Sequence, residues 1–194
     1  MHSLEEMRQY GVGSYEQAKS LQEFNKLTKL RILKITLNFD PLEGSEGLSQ
    51  AEGCYSYVGT LLSSCNLYNL YITDYSEATQ NPMSLDSWHP AIPCSLRKLR
   101  MEGCPIDKVP HWMASLGNLV VLKLHAIICF RPEDVDILGA IPSLLFLKLG
   151  TIGRHQRKDR CPWQKRIHKS EIFLPKYYRL RDCTGVSSGI NAKA

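Results

Sequence analysis

The side chains best suited to nucleophilic or metal chemistry in this 194-residue chain are six histidines, at 2, 89, 111, 125, 155 and 168, and seven cysteines, at 54, 65, 94, 104, 129, 161 and 183. Their spacing serves neither purpose. There is no C-x-x-C, H-E-x-x-H or G-x-S-x-G, so no thiolate pair, zinc helix or nucleophile elbow is in place. His111 and His125 are fourteen residues apart in different structural phases, which rules against a shared ligand geometry. A G-x-x-x-x-G-K-[ST] phosphate cradle is also missing, so the chain is not expected to bind nucleotide by itself. An odd cysteine count without close pairs speaks against a disulfide framework and for a reducing compartment, the cytosol or the nucleus. No catalytic residue, metal ligand or cofactor is assigned. The chemistry left is ionic: Lys34, Tyr71, Arg100, Lys123 and Lys148 each stand between two apolar residues, where a cation or a phenol can pair with an acidic protein surface.

The phrase that positions them is "LGNLVVLKLHAI", with Leu116, Leu119, Leu122, Leu124 and Ile127. A spacing of three followed by a spacing of two fits a short strand entered by a tight bend, because successive strand side chains alternate faces. The phrase recurs around Tyr10–Val12, Leu33–Ile35, Leu70–Ile72, Leu99–Met101 and Leu147–Leu149. The pairs begin at 10, 33, 70, 99, 122 and 147, so the repeats are irregular, 23 to 37 residues apart. Recurrence at this period predicts an α/β leucine-rich-repeat solenoid, in which no unit buries its apolar side alone and stacked units share one core. Parallel strands line the concave face, with irregular loops and short helices on the convex face. Leu33, Ile35, Leu70, Ile72, Leu99, Met101, Leu122, Leu124, Leu147 and Leu149 should point inward on six parallel strands. The residues between them, Gly11, Lys34, Tyr71, Arg100, Lys123 and Lys148, should then form an outward row, a basic ladder whose long side chains repel but can splay into water.

Asn38 and Cys104 each follow the second residue of a pair by three places, where a buried turn residue can bond loop backbone; Cys104 reads equally well as a small buried thiol. The acidic, Gly-rich "NFDPLEGSEGLSQAEG" reads as a surface loop, followed by a helical turn or two in "YSYVGTLLSSC". Pro82, Pro90 and Pro93 exclude a long helix from the next linker, where Trp88 reads as a hydrophobic plug over the core.

Charge is unevenly distributed. Residues 151–194 carry eleven Lys/Arg against three acids, a net +8, which leaves −3 for residues 1–150 and restores the overall +5. The domain reading follows: residues 1–152 form about six repeats and 153–194 a basic, divergent, partly disordered tail, in which "EIFLP" reads as one last short strand. Trp163, Tyr177 and Tyr178 interleave the basic residues, yet no nucleic-acid motif accompanies them, and a solvated terminus is the better reading. No stretch is long and apolar enough to span a bilayer, and the first thirty residues, with Glu5, Glu6 and Glu16 and no apolar core, are not expected to act as a secretory signal.

"LTKLRILKI", "SLRKLRMEGCPIDKVPHWMASLGNLVVLKL" and "PEDVDILGAIPSLLFLKL" resemble the leucine-rich-repeat region of plant intracellular nucleotide-binding disease-resistance proteins, especially those of grasses. The resemblance rests on inter-repeat phrases, such as Val109 to Met113 followed by Ser115 to Leu119, as well as on leucine spacing. It covers about residues 3–152 and fails in the tail. It implies a recognition module of an innate-immune receptor, with a pathogen effector or the receptor's nucleotide-binding switch domain as protein partner. Two alternatives stay open: a basic-tailed scaffold that binds nucleic acid or phosphates, and a truncated receptor fragment without independent activity.

Overall fold

The computed structural model describes residues 4–39, 45–64, 66–75, 84–90, 93–127, 131–151 and 172–174. Strands β1 (Glu6–Val12), β2 (Ile32–Leu37), β3 (Asn69–Asp74), β4 (Lys98–Ile106), β5 (Val121–Ile127) and β6 (Phe146–Thr151) form one parallel sheet in chain order. A short β7 (Ile172–Leu174), within the "EIFLP" phrase, closes the order by pairing antiparallel with β6.

The ten apolar strand residues expected inside are all buried, none more than 5% exposed. Each pair meets the next in register: Leu33 with Leu70, Leu99, Leu122 and Leu147, and Ile35 with Ile72, Met101, Leu124 and Leu149. The spacing-of-three residues Leu30, Leu67, Leu96, Leu116, Leu119 and Ile141 complete this core. They are brought in by tight turns, in which Leu30 N–H donates to Leu27 O at 3.0 Å and Leu119 N–H to Leu116 O at 3.1 Å. Each strand is entered through one backbone step, with Arg31, Tyr68, Arg97, Val120 and Leu145 N–H donating to the preceding coil at 2.7–2.9 Å. Stacking therefore satisfies the backbone polar groups as it buries the leucines.

Helix α1 (Tyr15–Ser20) begins at Ser14, whose Oγ accepts from Gln17 N–H at 3.4 Å. Helix α3 (Pro132–Gly139) starts with proline, whose missing N–H costs nothing there. Its Asp134 caps backwards: one carboxylate oxygen accepts Arg131 N–H at 2.7 Å, the other Val109 N–H at 2.8 Å, which ties the helix to the exit of β4.

Three expectations need correction. Helix α2 spans Ser45–Ser64, far more than the turn or two anticipated, and takes in much of the stretch read as a loop. Cys54, Tyr55, Val58, Leu61 and Leu62 form one buried stripe at helical spacing, and this tertiary burial overrides the local glycine penalty. Asn38 is exposed, because the inward positions at the β2 exit are Leu37 and Phe39. In β1 the phase differs too: Met7, not Tyr10, pairs with Leu33, and Tyr10 pairs with Ile35. An irregularity between Met7 and Tyr10 adds a residue to this strand, so Gly11 falls opposite Thr36 and outside the basic row.

Candidate functional site

Parallel register brings Lys34, Tyr71, Arg100, Lys123 and Lys148 into one line across five strands, each the partner of the next. Lys34 is exposed and the other four are half-buried. The line is less repulsive than its residue types imply. Arg100 bonds through Nε at 2.8 Å and Nη2 at 2.5 Å to one oxygen of Glu102, two residues on and on the same face. His125 Nδ1 lies 3.9 Å from that oxygen. Lys123 carries its ammonium over the Phe146 ring, 5.2 Å from the centroid, where the ring's quadrupole attracts it. Lys34 has no ion pair among the described residues. The arrangement presents cations on a rigid strand spacing of about 4.8 Å and leaves the central arginine partly neutralised.

The neighbouring lines were readable from the same spacing but were not singled out. Glu102 and His125 belong to the line Thr36, Thr73, Glu102, His125, Gly150, one step past the second apolar residue of each pair. Arg31, Tyr68 and Arg97 stand two places before the first apolar residue, at the strand entries. Position relative to the pair is the signal that finds both.

Behind the sheet lies a polar node. Asp74, 6% exposed, accepts a 2.7 Å hydrogen bond from Tyr55 Oη. Cys104 and Cys54 are fully buried, and desolvation pushes both thiols up to about 12. Burial also drives the Tyr55 phenol well above its ordinary value. Cys104 Sγ lies 3.4 Å from Glu102 O, so it is both a small buried thiol and a weak donor to loop backbone. Gly103, at φ +74°, lets the β4 backbone pass here, since a Cβ would sit 2.0 Å from Asp74 O. Such inert thiols are structural. No three His, Cys, Asp or Glu among the described residues are grouped to hold a metal ion. Trp88 is 1% exposed and stacks on Trp112 at 6.1 Å between centroids, as a plug should.

A family model for a leucine-rich repeat region matches residues 1–184. The chain belongs to that leucine-rich-repeat family. Its role is accordingly that of a protein-interaction module. No curated protein and no solved structure matches the chain. Among the described residues, no helix is long and apolar enough to cross a membrane.

Proposed function

We propose that this leucine-rich-repeat chain is the recognition module of a plant innate-immune receptor, a curved solenoid over residues 1–152 followed by the basic tail 153–194, at work in the cytosol or nucleus. The line Lys34, Tyr71, Arg100, Lys123 and Lys148 docks an acidic protein surface, either a pathogen effector or the receptor's nucleotide-binding switch domain. The observation that carries this reading is the unbroken register of the line across five strands. Complementary charge on such a surface fixes register and raises association rate more than it adds raw affinity. A carboxylate of the partner would compete with Glu102 for Arg100, so recognition at the centre is an exchange of ion pairs.

The test is a double reversal, Arg100→Glu with Lys123→Glu, titrated against the recombinant switch domain of a grass receptor at low salt. Binding should fall about tenfold or more with the circular dichroism unchanged, as removal of two desolvated charge contacts does. Equal binding by the parent and the double variant removes the line as the contact surface. The scaffold reading draws on the net +8 of residues 151–194. It requires oligonucleotide binding that disappears when residues 153–194 are deleted.

A further inference from the structure

At the strand-entry edge of the sheet, three residues outside the basic line form a second arrangement. Arg31, Tyr68 and Arg97 immediately precede β2, β3 and β4, and their backbones are held in file by Tyr68 N–H to Arg31 O and Arg97 N–H to Tyr68 O, both 2.8 Å. Both guanidinium groups lie over the Tyr68 ring, at 5.3 Å for Arg31 and 5.4 Å for Arg97 from the centroid. One phenol thus carries two cations whose backbones are two strand spacings apart, about 9.6 Å. Attraction to the ring offsets their mutual repulsion and restricts side chains that would otherwise lose entropy on binding.

Among the described residues, neither arginine is spent on a carboxylate. Arg31 donates Nη1 to Asn66 O at 3.1 Å and to Thr28 O at 3.4 Å, which fixes one corner of its fork. Neither Arg31 nor Arg97 makes an ion pair among the described residues, in contrast to Arg100. Tyr68 is itself 40% exposed. The file continues into apolar surface, with Val120 half-buried and Leu145 47% exposed. Along the edge the order is therefore a carboxylate at Glu5, which precedes β1, then cation, phenol, cation and two aliphatic side chains. Planar forks that carry full charge and are held in place favour carboxylates, and Arg and Tyr are the residues that most often dominate protein interfaces.

We propose that Arg31, Tyr68 and Arg97 form a preorganised anchor for an acidic segment of a protein partner, with Val120 and Leu145 receiving apolar residues that follow it. The anchor rests on the reading of this sheet as a protein-recognition surface but uses none of the residues of the basic line. The test is fluorescence polarisation of a labelled peptide of four glutamates followed by two leucines, with its glutamine counterpart as control. The parent chain should bind the acidic peptide and discriminate against the neutral one. Arg97→Gln should weaken acidic-peptide binding roughly fivefold or more. Tyr68→Ala should do nearly as much although it removes no charge, because the forks lose their support. Tyr68→Leu, which keeps an apolar side chain, guards against a folding defect and should show the same loss with an unchanged melting temperature. Unchanged binding in Arg97→Gln and Tyr68→Leu overturns the anchor, even where the Arg100 and Lys123 reversal weakens the switch domain; the basic line then stands alone. Loss in the edge variants while that reversal is harmless keeps the anchor and removes the line. An oligonucleotide that binds where the acidic peptide does not also overturns the proposal.

Discussion

The stretch from β4 to β6 and the stretch from β2 to β4 build the same core layer by different means. From β4 to β6 the connections are short and repeat their own devices. Asn118 Nδ2 donates to Cys94 O at 2.8 Å and Ser143 Oγ to Gly117 O at 2.5 Å, so each turn is clamped to the one before it. From β2 to β4 the chain inserts the 20-residue α2 and a second linker, yet β2, β3 and β4 keep full register. Here Trp88 fills a notch left by Gly59, where a Cβ would lie 2.7 Å from the indole, and Ser63 Oγ donates to His89 O. Trp112 Nε1 donates to Leu85 O at 2.8 Å and joins this linker to the regular half. Regular repeats are held by local turns, and irregular ones need a few large or polar side chains reaching across the insertion.

The sharpest way to break that contrast is to remove the plug. Trp88→Ala should cost about 3–5 kcal/mol in urea unfolding, as expected for deleting a fully buried indole. A loss under about 1 kcal/mol, the general average for point mutants, would mean that the insertion is not anchored through Trp88. In the regular half, Leu122→Ala should cost about 2–5 kcal/mol, since Leu122 is 0% exposed and flanked by Leu99 and Leu147. An unchanged midpoint would contradict the strand phase. Tyr55→Phe removes the donor to buried Asp74 without changing the packed volume much, and about 1–3 kcal/mol should be lost. Should the loss exceed that of Trp88→Ala, the polar node would matter more to the irregular half than its apolar plug.

The smallest effect concerns pH. The hydrogen bond from Lys108 holds the Asp86 carboxyl below its ordinary 3.8. A depressed folded value means that stability is present above the unfolded value and is lost as pH falls through the lowered one. Because this pair is partly exposed, with side chains 35% and 46% accessible, its contribution is that of a surface bridge. Between pH 5 and pH 2, thermal melts of Asp86→Asn should fall slightly less steeply than those of the parent, and parallel curves would show that the bridge contributes nothing.

The inward leucines and the outward line were legible because strand alternation leaves a signature of two inside a spacing of three. Gly11 was misplaced because β1 sits two places further along β2 than its Tyr10–Val12 pair suggests, with one extra residue between Met7 and Tyr10, and neither changes the local pattern. The length of α2 was hidden by Gly53 and Gly59, which lower helix propensity but allow close approach, most tightly at Trp88. Asn38 looked like a turn ladder, but the buried polar group at the strand exits is Asp74, opposite Leu37, and only the fold brings it to Tyr55 from 19 residues earlier. The file of Arg31, Tyr68 and Arg97 was legible from its place two residues before each pair, but the seating of both guanidinium groups on one ring was not, since spacing gives a residue's position and not the direction of its side chain.

The buried thiols make the molecule its own stopwatch. With burial pushing Cys54 and Cys104 up to about 12, the reactive thiolate is scarce in the closed state at neutral pH. Alkylation at these positions therefore waits for an opening of the surrounding structure, and its rate counts those openings. Cys54 reports on α2, Cys104 on the β4 backbone beside Gly103, and Cys94 on the approach to β4. Read residue by residue in a mass spectrometer, the order in which these thiols become labelled is the order in which the inserted helix, the approach and the sheet let water in.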